Sequence, residues 1–419
     1  MNLLFLVHRI PFPPNKGDKI RSFHELRYLA ERHRVHVGCL VDQPEDMAHV
    51  AELSTMVTSL EAVPLDTRRA RVRSLGALAA GGPLSVRYFR SPRLAKWVRD
   101  TAQREKLDAV LLFSSPMFDY VDNLHLPTVM DFCDVDSDKW RQYAARAPLP
   151  LRPLYALEAR RLRAYEEHVL RHCDAATLVA DRERELWAGL PADLQAKVHV
   201  VPNGVDLQFF TSTATLGDAR DPNAIVFTGA MDYYANVDAV QFFADQVLPH
   251  IRAEIPNAHF YIVGSRPTPE VLALGRRPGI TVTGFVEDVR PYYARATACV
   301  VPLRIARGIQ NKLLEAMAMG RPVVATQAAA LGIGAGSHDG LRVADDPEAM
   351  ARETLALLRD ADAAASAGRA GRRFVEREYV WDRALGRLED LLERAARRDG
   401  VATHRADAVE SPMAIPTGV

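Results

Sequence analysis

The sequence has few cysteines, no long apolar run and no excess of charge of either sign. Its four cysteines (Cys39, Cys133, Cys173 and Cys299) lie far apart without a CxxC pair, which argues against a disulfide scaffold or a zinc site. The 53 basic and 53 acidic side chains sum to zero net charge, which argues against a general nucleic-acid-binding protein. No stretch reaches the roughly 18–20 apolar residues of a transmembrane helix.

The length and composition are those of a soluble protein with two domains. The chain has 419 residues, of which 48% are apolar and 25% charged. A single hydrophobic core rarely extends beyond about 250–300 residues, so two cores are expected. The apolar run after Met1 ends at Val7 and is too short for a secretory signal, so a cytoplasmic location is expected.

Short apolar runs alternate with longer amphipathic segments through most of the chain. The runs before residue 205 are NLLFLV, VHVGCLV, SLEAVPL, DAVLLFS, PTVMDF, DAATLVA and VHVVPNG. Those after residue 223 are AIVFTG, HFYIVG, ITVTGF, ACVVPL and PVVAT. Strand–helix alternation of this kind predicts two α/β domains with parallel sheets.

The predicted domains are 1–204 and 205–378, separated by a polar, turn-rich stretch. We expect a helix at about 380–396 to pack back on the N-terminal domain, and a disordered tail at 399–419. Ligands of such sheets bind beyond the carboxyl ends of the strands, so the two domains are expected to enclose a cleft.

Two loops are candidates for binding an anion. In PFPPNKGDKIR, Gly17 precedes a helix whose first N–H groups are free, although an ordinary βα turn is the alternative. In RIARGIQNKLLEAMAMGRPVVAT, a helix is predicted from Gly308 onward, with Lys312 and Glu315 on one face. Cations beside this helix start suit a diphosphate, and a carboxylate suits two ribose hydroxyls. A solvated Lys312–Glu315 ion pair is the alternative.

These motifs resemble those of a known enzyme family. LLEAMAMGRPVVAT resembles the donor-site motif of family 4 retaining glycosyltransferases of the GT-B fold, and PPNKGDKIR, VVPNGVD, FTGAMDYYANVDAV and TGFVEDVRPYYARA resemble other segments of that family. More narrowly, ARGIQNKLLEAMA, DVRPYY and MDFCDVDSDKW resemble the sugar transferases associated with exosortase (PEP-CTERM) systems. The resemblance implies an α/β GT-B fold with two facing Rossmann-like domains and a central cleft.

The same resemblance implies a reaction and a set of donor residues. A sugar would move from a nucleotide-diphosphate sugar to a glycan or lipid-linked acceptor in exopolysaccharide synthesis. Glu315 would bind the donor ribose, and Gly229 would line the diphosphate. The full set of implied donor-binding residues is Gly17, Gly229, Gly284, Arg304, Gln310, Asn311, Lys312 and Glu315. Lys19 and Arg21 are expected on the acceptor side.

Three departures from the family pattern concern charge and catalysis. Arg307 stands where the family commonly has a glutamate. The family often has a histidine immediately before an aspartate at the position of Cys133, and residues 231–232 replace the arginine and lysine that the family commonly has after the glycine. Lys312, with Arg304 or Arg307, is therefore expected to supply the cations for the diphosphate.

Catalysis is expected to need no protein nucleophile. Arg307 and Lys312 would stabilise the charge that grows on the leaving diphosphate. A donor phosphate oxygen could take the proton of the acceptor hydroxyl. Alternatively, Asp131 or Asp134 would orient this hydroxyl and act as the base. Asp134-Val135-Asp136 has the DxD form of metal-dependent transferases of another fold and is interpreted as coincidence, so no metal or other cofactor is expected.

Residues 67–106 are strongly basic, with apolar side chains interleaved. Such helices bind anionic membranes, where a lipid-linked acceptor would be reached, although a solvated helical face is the alternative. Two other functions stay open. The chain can be a GT-B nucleotide-sugar epimerase or hydrolase, or a non-catalytic sugar-nucleotide-binding protein of an assembly complex.

Overall fold

The computed structural model describes residues 1–211, 221–306 and 308–409. The chain forms two compact units, one built from Met1–Val201 together with the chain from Leu385 onward, the other from Pro202–Ala384. The first boundary thus falls between residues 201 and 202, against a predicted 204–205. Each unit has its own parallel sheet and its own hydrophobic core.

The first unit is built on a seven-stranded parallel sheet with the order β3-β2-β1-β4-β5-β6-β7. The apolar runs of the sequence form these strands because both faces of such a sheet are covered by helices. The bounds are β1 Asn2–Val7, β2 Arg34–Val41, β3 Ser59–Pro64, β4 Ala109–Phe113, β5 Thr128–Cys133, β6 Ala175–Leu178 and β7 Val198–Val200.

The second unit contains a six-stranded parallel sheet with the order β10-β9-β8-β11-β12-β13. The bounds are β8 Ala224–Thr228, β9 His259–Val263, β10 Ile280–Gly284, β11 Ala298–Val301, β12 Val323–Ala325 and β13 Leu341–Val343. The last strand was not predicted, because Arg342 interrupts its short apolar run. The strand order reverses between β8 and β11, and this is where ligands of doubly wound sheets bind.

Helices connect the strands in both units. Those before residue 202 are α1 Gly17–Ala30, α2 Val50–Ser54, α3 Thr67–Ser74, α4 Gly76–Ala80, α5 Leu84–Tyr88, α6 Pro92–Arg104, α7 Asp136–Arg146, α8 Arg152–His172, α9 Asp181–Glu185 and α10 Ala192–Gln195. Those after it are α11 Tyr234–Phe242, α12 Leu248–Glu254, α13 Pro269–Leu274, α14 Arg290–Arg295, α15 Asn311–Ala318, α16 Gln327–Ala330, α17 Pro347–Arg359, α18 Ala361–Glu378 and α19 Trp381–Val409. None of the described helices is both long and apolar enough to cross a membrane.

Helix α19 packs on the first unit. The carboxylate of Glu389 accepts a hydrogen bond from the Tyr28 hydroxyl at 2.8 Å and lies 2.8 Å from Nε2 of His33. The helix continues to Val409, so the expectation of disorder from residue 399 is wrong for its first part. Residues 399–409 contain no proline, the residue that would interrupt a helix there. The rest of the predicted tail, 410–419, lies outside the described residues.

Arg21 is fully buried at a point where three segments of the first unit meet. Its Nε lies 2.6 Å from Asp131 Oδ2 and 3.0 Å from Glu25 Oε1, and its Nη1 donates to the Val201 carbonyl at 2.9 Å. Burial raises the pKa of Glu25 well above its ordinary value, and the nearby charge of Asp131 adds to this. Arg21 therefore stabilises two carboxylates in the interior.

Removing this cation should destabilise the fold strongly. In an Arg21→Met variant, Asp131 and Glu25 lose their partner in the interior, and the free energy of unfolding should fall by about 3–5 kcal/mol. Urea denaturation measures this. Arg32→Ala, which removes an exposed ion pair with Glu31, should change it by less than about 1 kcal/mol. Equal losses in the two variants would contradict the role of Arg21.

Candidate functional site

The loop after β8 brings a glycine close to a buried asparagine. Gly229 has a backbone φ of 159°, and a Cβ atom at this position would lie 2.7 Å from Nδ2 of Asn236. Asn236, in the first turns of α11, donates from Nδ2 to the Ala230 carbonyl at 2.9 Å. Only glycine fits here, so the backbone after β8 stays bare at the switch point of the sheet.

Lys312 points to the same asparagine from helix α15, which follows β11. Its Nζ donates to Asn236 Oδ1 at 2.8 Å and lies 5.0 Å from the centre of the Phe227 ring. Burial lowers the pKa of Lys312 to about 8, and the charge of Glu315 opposes this shift. An ammonium group has three N–H donors, so those not used by Asn236 can bind an anion.

Glu315 lies one turn further along α15 and contacts other residues. Its Oε2 accepts a hydrogen bond of 2.9 Å from the hydroxyl of Tyr293, which lies 2.7 Å from Oγ1 of Thr228. Burial raises the pKa of Glu315, whereas Tyr293 and Lys312 act in the opposite direction. Within the described part of the chain, no ion pair joins Glu315 to Lys312, so the alternative of a simple salt bridge is wrong.

The start of α15 differs from the prediction. The helix begins at Asn311 rather than at Gly308, because Gly308 has a φ of 52° and Gln310 is extended as the N-cap residue. Asn311 accepts a hydrogen bond at Oδ1 from Asn203 Nδ2 at 3.2 Å. The segment VVPNGVD therefore supports the helix start through Asn203.

The arginines before α15 have different places. Arg304 forms an ion pair with Asp238, with Nε 3.0 Å from Oδ2, and its guanidinium lies over the Phe242 ring at 5.1 Å. A nearby carboxylate thus already offsets its charge. Arg307 lies outside the described residues.

Gly284 ends β10 with a φ of 70°, in open space at the carboxyl edge of the same sheet.

In the first unit, Gly17 is the first residue of α1, and a Cβ atom there would meet nothing within 4 Å. Asp18 follows in the first turn and forms an ion pair of 2.7 Å with Arg9. Burial raises the pKa of Asp18, but His8 and Arg9 outweigh it, so the net shift is strongly downward. This helix start already carries a carboxylate, so the geometry gives no separate support for an anion at Gly17.

Lys19 and Arg21 do not have the acceptor-side position that the sequence predicted. Both side chains are about 1% exposed, and Lys19 Nζ lies 2.7 Å from Asp46 Oδ2. The sequence pattern missed this because their carboxylate partners lie 27 and 110 residues further along the chain.

Of the two aspartates predicted as bases, Asp131 is fully buried. Its oxygens accept from Arg21, from the Thr177 hydroxyl at 2.7 Å and from the Cys133 amide at 3.1 Å, so it does not meet an acceptor hydroxyl. Burial raises the pKa of the Cys133 thiol well above its ordinary value, which agrees with a packing role. Asp134 is half-buried just beyond β5 and stays a candidate.

Part of the second unit matches a known protein family. Residues 222–360, which include Gly229, Asn236, Tyr293 and the Lys312 helix, match the family model described as "Glycosyl transferases group 1". A D-inositol 3-phosphate glycosyltransferase of Xylanimonas cellulosilytica is 32% identical to the chain over 256 residues, which cover 56% of this chain and 60% of that relative's length.

Solved structures show the same fold over most of the chain. A sucrose-phosphate synthase from Thermosynechococcus elongatus matches with a TM-score of 0.70 and 17% identity, over 94% of this chain and 99% of that one. Anabaena HepE in complex with UDP matches with a TM-score of 0.66 and 16% identity, over 94% and 100%. The predicted GT-B class of two Rossmann-like, parallel-sheet domains is confirmed.

Sequence reasoning singled out Gly229, Lys312 and Glu315 but missed the residues that contact them. Asn236, Tyr293 and Thr228 were not predicted as site residues. The available signals were the threonine that ends β8 and the second tyrosine of DVRPYY. Nothing in a single sequence links Thr228 or Tyr293 to helix α15, which begins at Asn311.

Proposed function

We propose that the protein is a retaining glycosyltransferase that moves a sugar from a nucleotide-diphosphate sugar to a glycan or lipid-linked acceptor. The placement of Lys312 and Glu315 carries this proposal: a cation beside the bare Gly229 loop suits the diphosphate, and a carboxylate one turn away suits the ribose. HepE was solved with UDP, which supports a nucleotide-sugar donor. The sequence resemblance to exosortase-associated transferases supports a place in exopolysaccharide synthesis.

The residues of α15 suggest how the reaction would be accelerated. The bond between the anomeric carbon and the diphosphate oxygen breaks, and a bond to the acceptor oxygen forms on the same face of the sugar. Lys312 and the first N–H groups of α15 stabilise the negative charge on the leaving diphosphate. A phosphate oxygen takes the acceptor proton, and Asp134 is the protein group that can orient the acceptor hydroxyl. Arg304 and Gln310 are proposed to contact the donor from the loop before the helix.

No metal is proposed as a cofactor, since Lys312 and the α15 N–H groups would bind the diphosphate directly. Transfer of the sugar, measured with and without excess EDTA, should accordingly continue at the same rate.

The basic segment 67–106 is proposed to contact anionic lipid. The backbone is helical from Thr67 to Ala80 with Leu75 between α3 and α4, so Val72, Leu75 and Leu78 follow each other at a spacing of three. These side chains are 71%, 52% and 40% exposed. The arginines at 68, 69, 71 and 73 are exposed beside them. Exposed apolar side chains favour a membrane surface over a purely solvated face.

Donor variants test the catalytic proposal. Lys312→Ala and Glu315→Ala should each reduce transfer from the preferred nucleotide sugar by about a hundredfold or more, because each removes a charge from the donor site. Arg342→Ala, which removes an ion pair with Glu353 elsewhere in the unit, should keep near-normal activity. Near-normal transfer in both site variants would refute the assignment. Turnover without any acceptor would favour a hydrolase or epimerase, and binding without turnover a non-catalytic protein.

The lowered pKa of Lys312 predicts a pH dependence of nucleotide binding. Below pH 8 the ammonium form is present and binds the diphosphate, and above pH 8 the affinity for UDP should fall by roughly tenfold per pH unit. For folding, the charged form destabilises the native state at neutral pH, and this penalty declines as the pH rises from 8 towards 10.5. Calorimetric titration at pH 7, 8 and 9 measures the affinity. A Lys312→Met variant with the same pH profile would contradict the assignment.

Vesicle flotation tests the membrane proposal. The protein should float with phosphatidylglycerol vesicles at low salt, less at high salt, and not with neutral vesicles. Replacing Val72, Leu75 and Leu78 with serine should abolish flotation, whereas Leu272→Ser, at an equally exposed position in the other unit, should not. Flotation that is independent of salt and of these three residues would refute membrane contact through this segment.

A further inference from the structure

We infer that Tyr293 is a positioning residue that keeps Glu315 apart from Lys312 and thereby lets the donor site select ribonucleotides over deoxyribonucleotides. The inference rests on the proposed function. It goes further by naming the residue that orients the carboxylate and the substrate property that depends on it.

Lys312 and Glu315 have the spacing and the opposite charges of a pair that normally forms an ion pair on a helix. In the described structure they do not pair within 4.0 Å, because each has another partner. Asn236 Oδ1 accepts from Lys312 at 2.8 Å, and Tyr293 donates to Glu315 at 2.9 Å. Two uncharged side chains thus keep a cation and an anion available at separate places on α15.

The hydrogen bonds of Tyr293 have a defined direction. Its O–H donates to Glu315 Oε2, so its own oxygen is left to accept from the hydroxyl of Thr228, 2.7 Å away. Thr228 is the last residue of β8 and immediately precedes Gly229. Tyr293 is 1% exposed, so the phenol cannot turn towards water instead. This chain of hydroxyls therefore fixes Oε2 relative to the glycine loop.

The other carboxylate oxygen is the one that a ligand can use. Oε1 of Glu315 accepts no hydrogen bond from any of the residues described in the structure. A carboxylate oxygen accepts up to two hydrogen bonds, which matches the vicinal hydroxyls of a ribose. If Tyr293 were absent, the carboxylate would be attracted to Lys312, and both the ribose contact and the charge for the diphosphate would weaken together.

Tyr379 offers a matched control. It is a second buried tyrosine of the same unit, and its hydroxyl donates to the Ile333 carbonyl at 2.7 Å. Replacing either tyrosine by phenylalanine removes one buried hydroxyl, with two hydrogen bonds at Tyr293 and one at Tyr379, so a purely structural effect should appear as lost stability in both variants. Only the Tyr293 hydroxyl contacts a residue of the candidate donor site.

The experiment compares the affinities of the full chain for UDP, 2′-deoxy-UDP and 3′-deoxy-UDP by calorimetry. We expect the wild type to prefer UDP over at least one deoxy form by tenfold or more. Tyr293→Phe should reduce this preference below about threefold, with the affinity for that deoxy form nearly unchanged. Tyr379→Phe should lower the melting temperature and keep the preference. Thr228→Val, which removes the other hydroxyl of the chain, should reduce the preference partly.

The possible outcomes distinguish the positioning role of Tyr293 from the proposed function. If the wild type discriminates and Tyr293→Phe discriminates equally well, the positioning role is refuted and the proposed function stands. If the wild type binds UDP without discrimination, the ribose contact of Glu315 and the role of Tyr293 are both refuted. If the wild type binds neither UDP nor GDP, the proposed donor site itself is refuted. Should Tyr293→Phe fail to fold, Thr228→Val with an undiminished preference is the result that overturns the inference.

Discussion

Burying a charge requires a partner, and this constraint shapes both units at the carboxyl edges of their sheets. An unpaired ion in the interior costs several kcal/mol, so each buried ionic group in a stable protein is paired or hydrogen-bonded. In the first unit Arg21 meets this requirement for Asp131 and Glu25, and it ties helix α1 to strand β5 and to the carbonyl of Val201. The sheet edge there is therefore neutralised by the protein's own side chains.

The second unit meets the same constraint in a different way. Lys312 and Glu315 are partly buried opposite charges on one helix, but their partners are the uncharged Asn236 and Tyr293. Uncharged partners satisfy some hydrogen-bonding groups and leave the ionic charge uncompensated. An ion pair would have been the better solution for stability alone. The arrangement makes physical sense where a ligand supplies the missing anion and hydroxyl groups.

The sequence was sufficient for the strands and the positions of the main loops, because parallel strands covered by helices must be continuous apolar runs. It also placed Lys312 and Glu315 on one helix, because their spacing is local. It failed for Lys19 and Arg21, whose exposed-looking charges pair with Asp46 and Asp131 far along the chain. It likewise missed Tyr293, because a tyrosine in a helical pattern looks like any core aromatic. Pairing between polar side chains that lie far apart in the sequence produces no periodic pattern in it.

The proposed use of one lysine for the diphosphate agrees with the geometry of the β8 loop. Gly229 leaves no room for a side chain, Asn236 fills the space behind it, and Asp232 further along the loop lies 3.0 Å from Arg266. No cation of the described loop therefore faces Gly229, and under the proposed function the charge comes from Lys312 of α15, across the switch point. A lysine can provide it from inside a helix because its ammonium group is small. The same burial that places Lys312 there lowers its pKa to about 8, so a cation brought in from the helix also responds to pH, which an arginine in the loop would not.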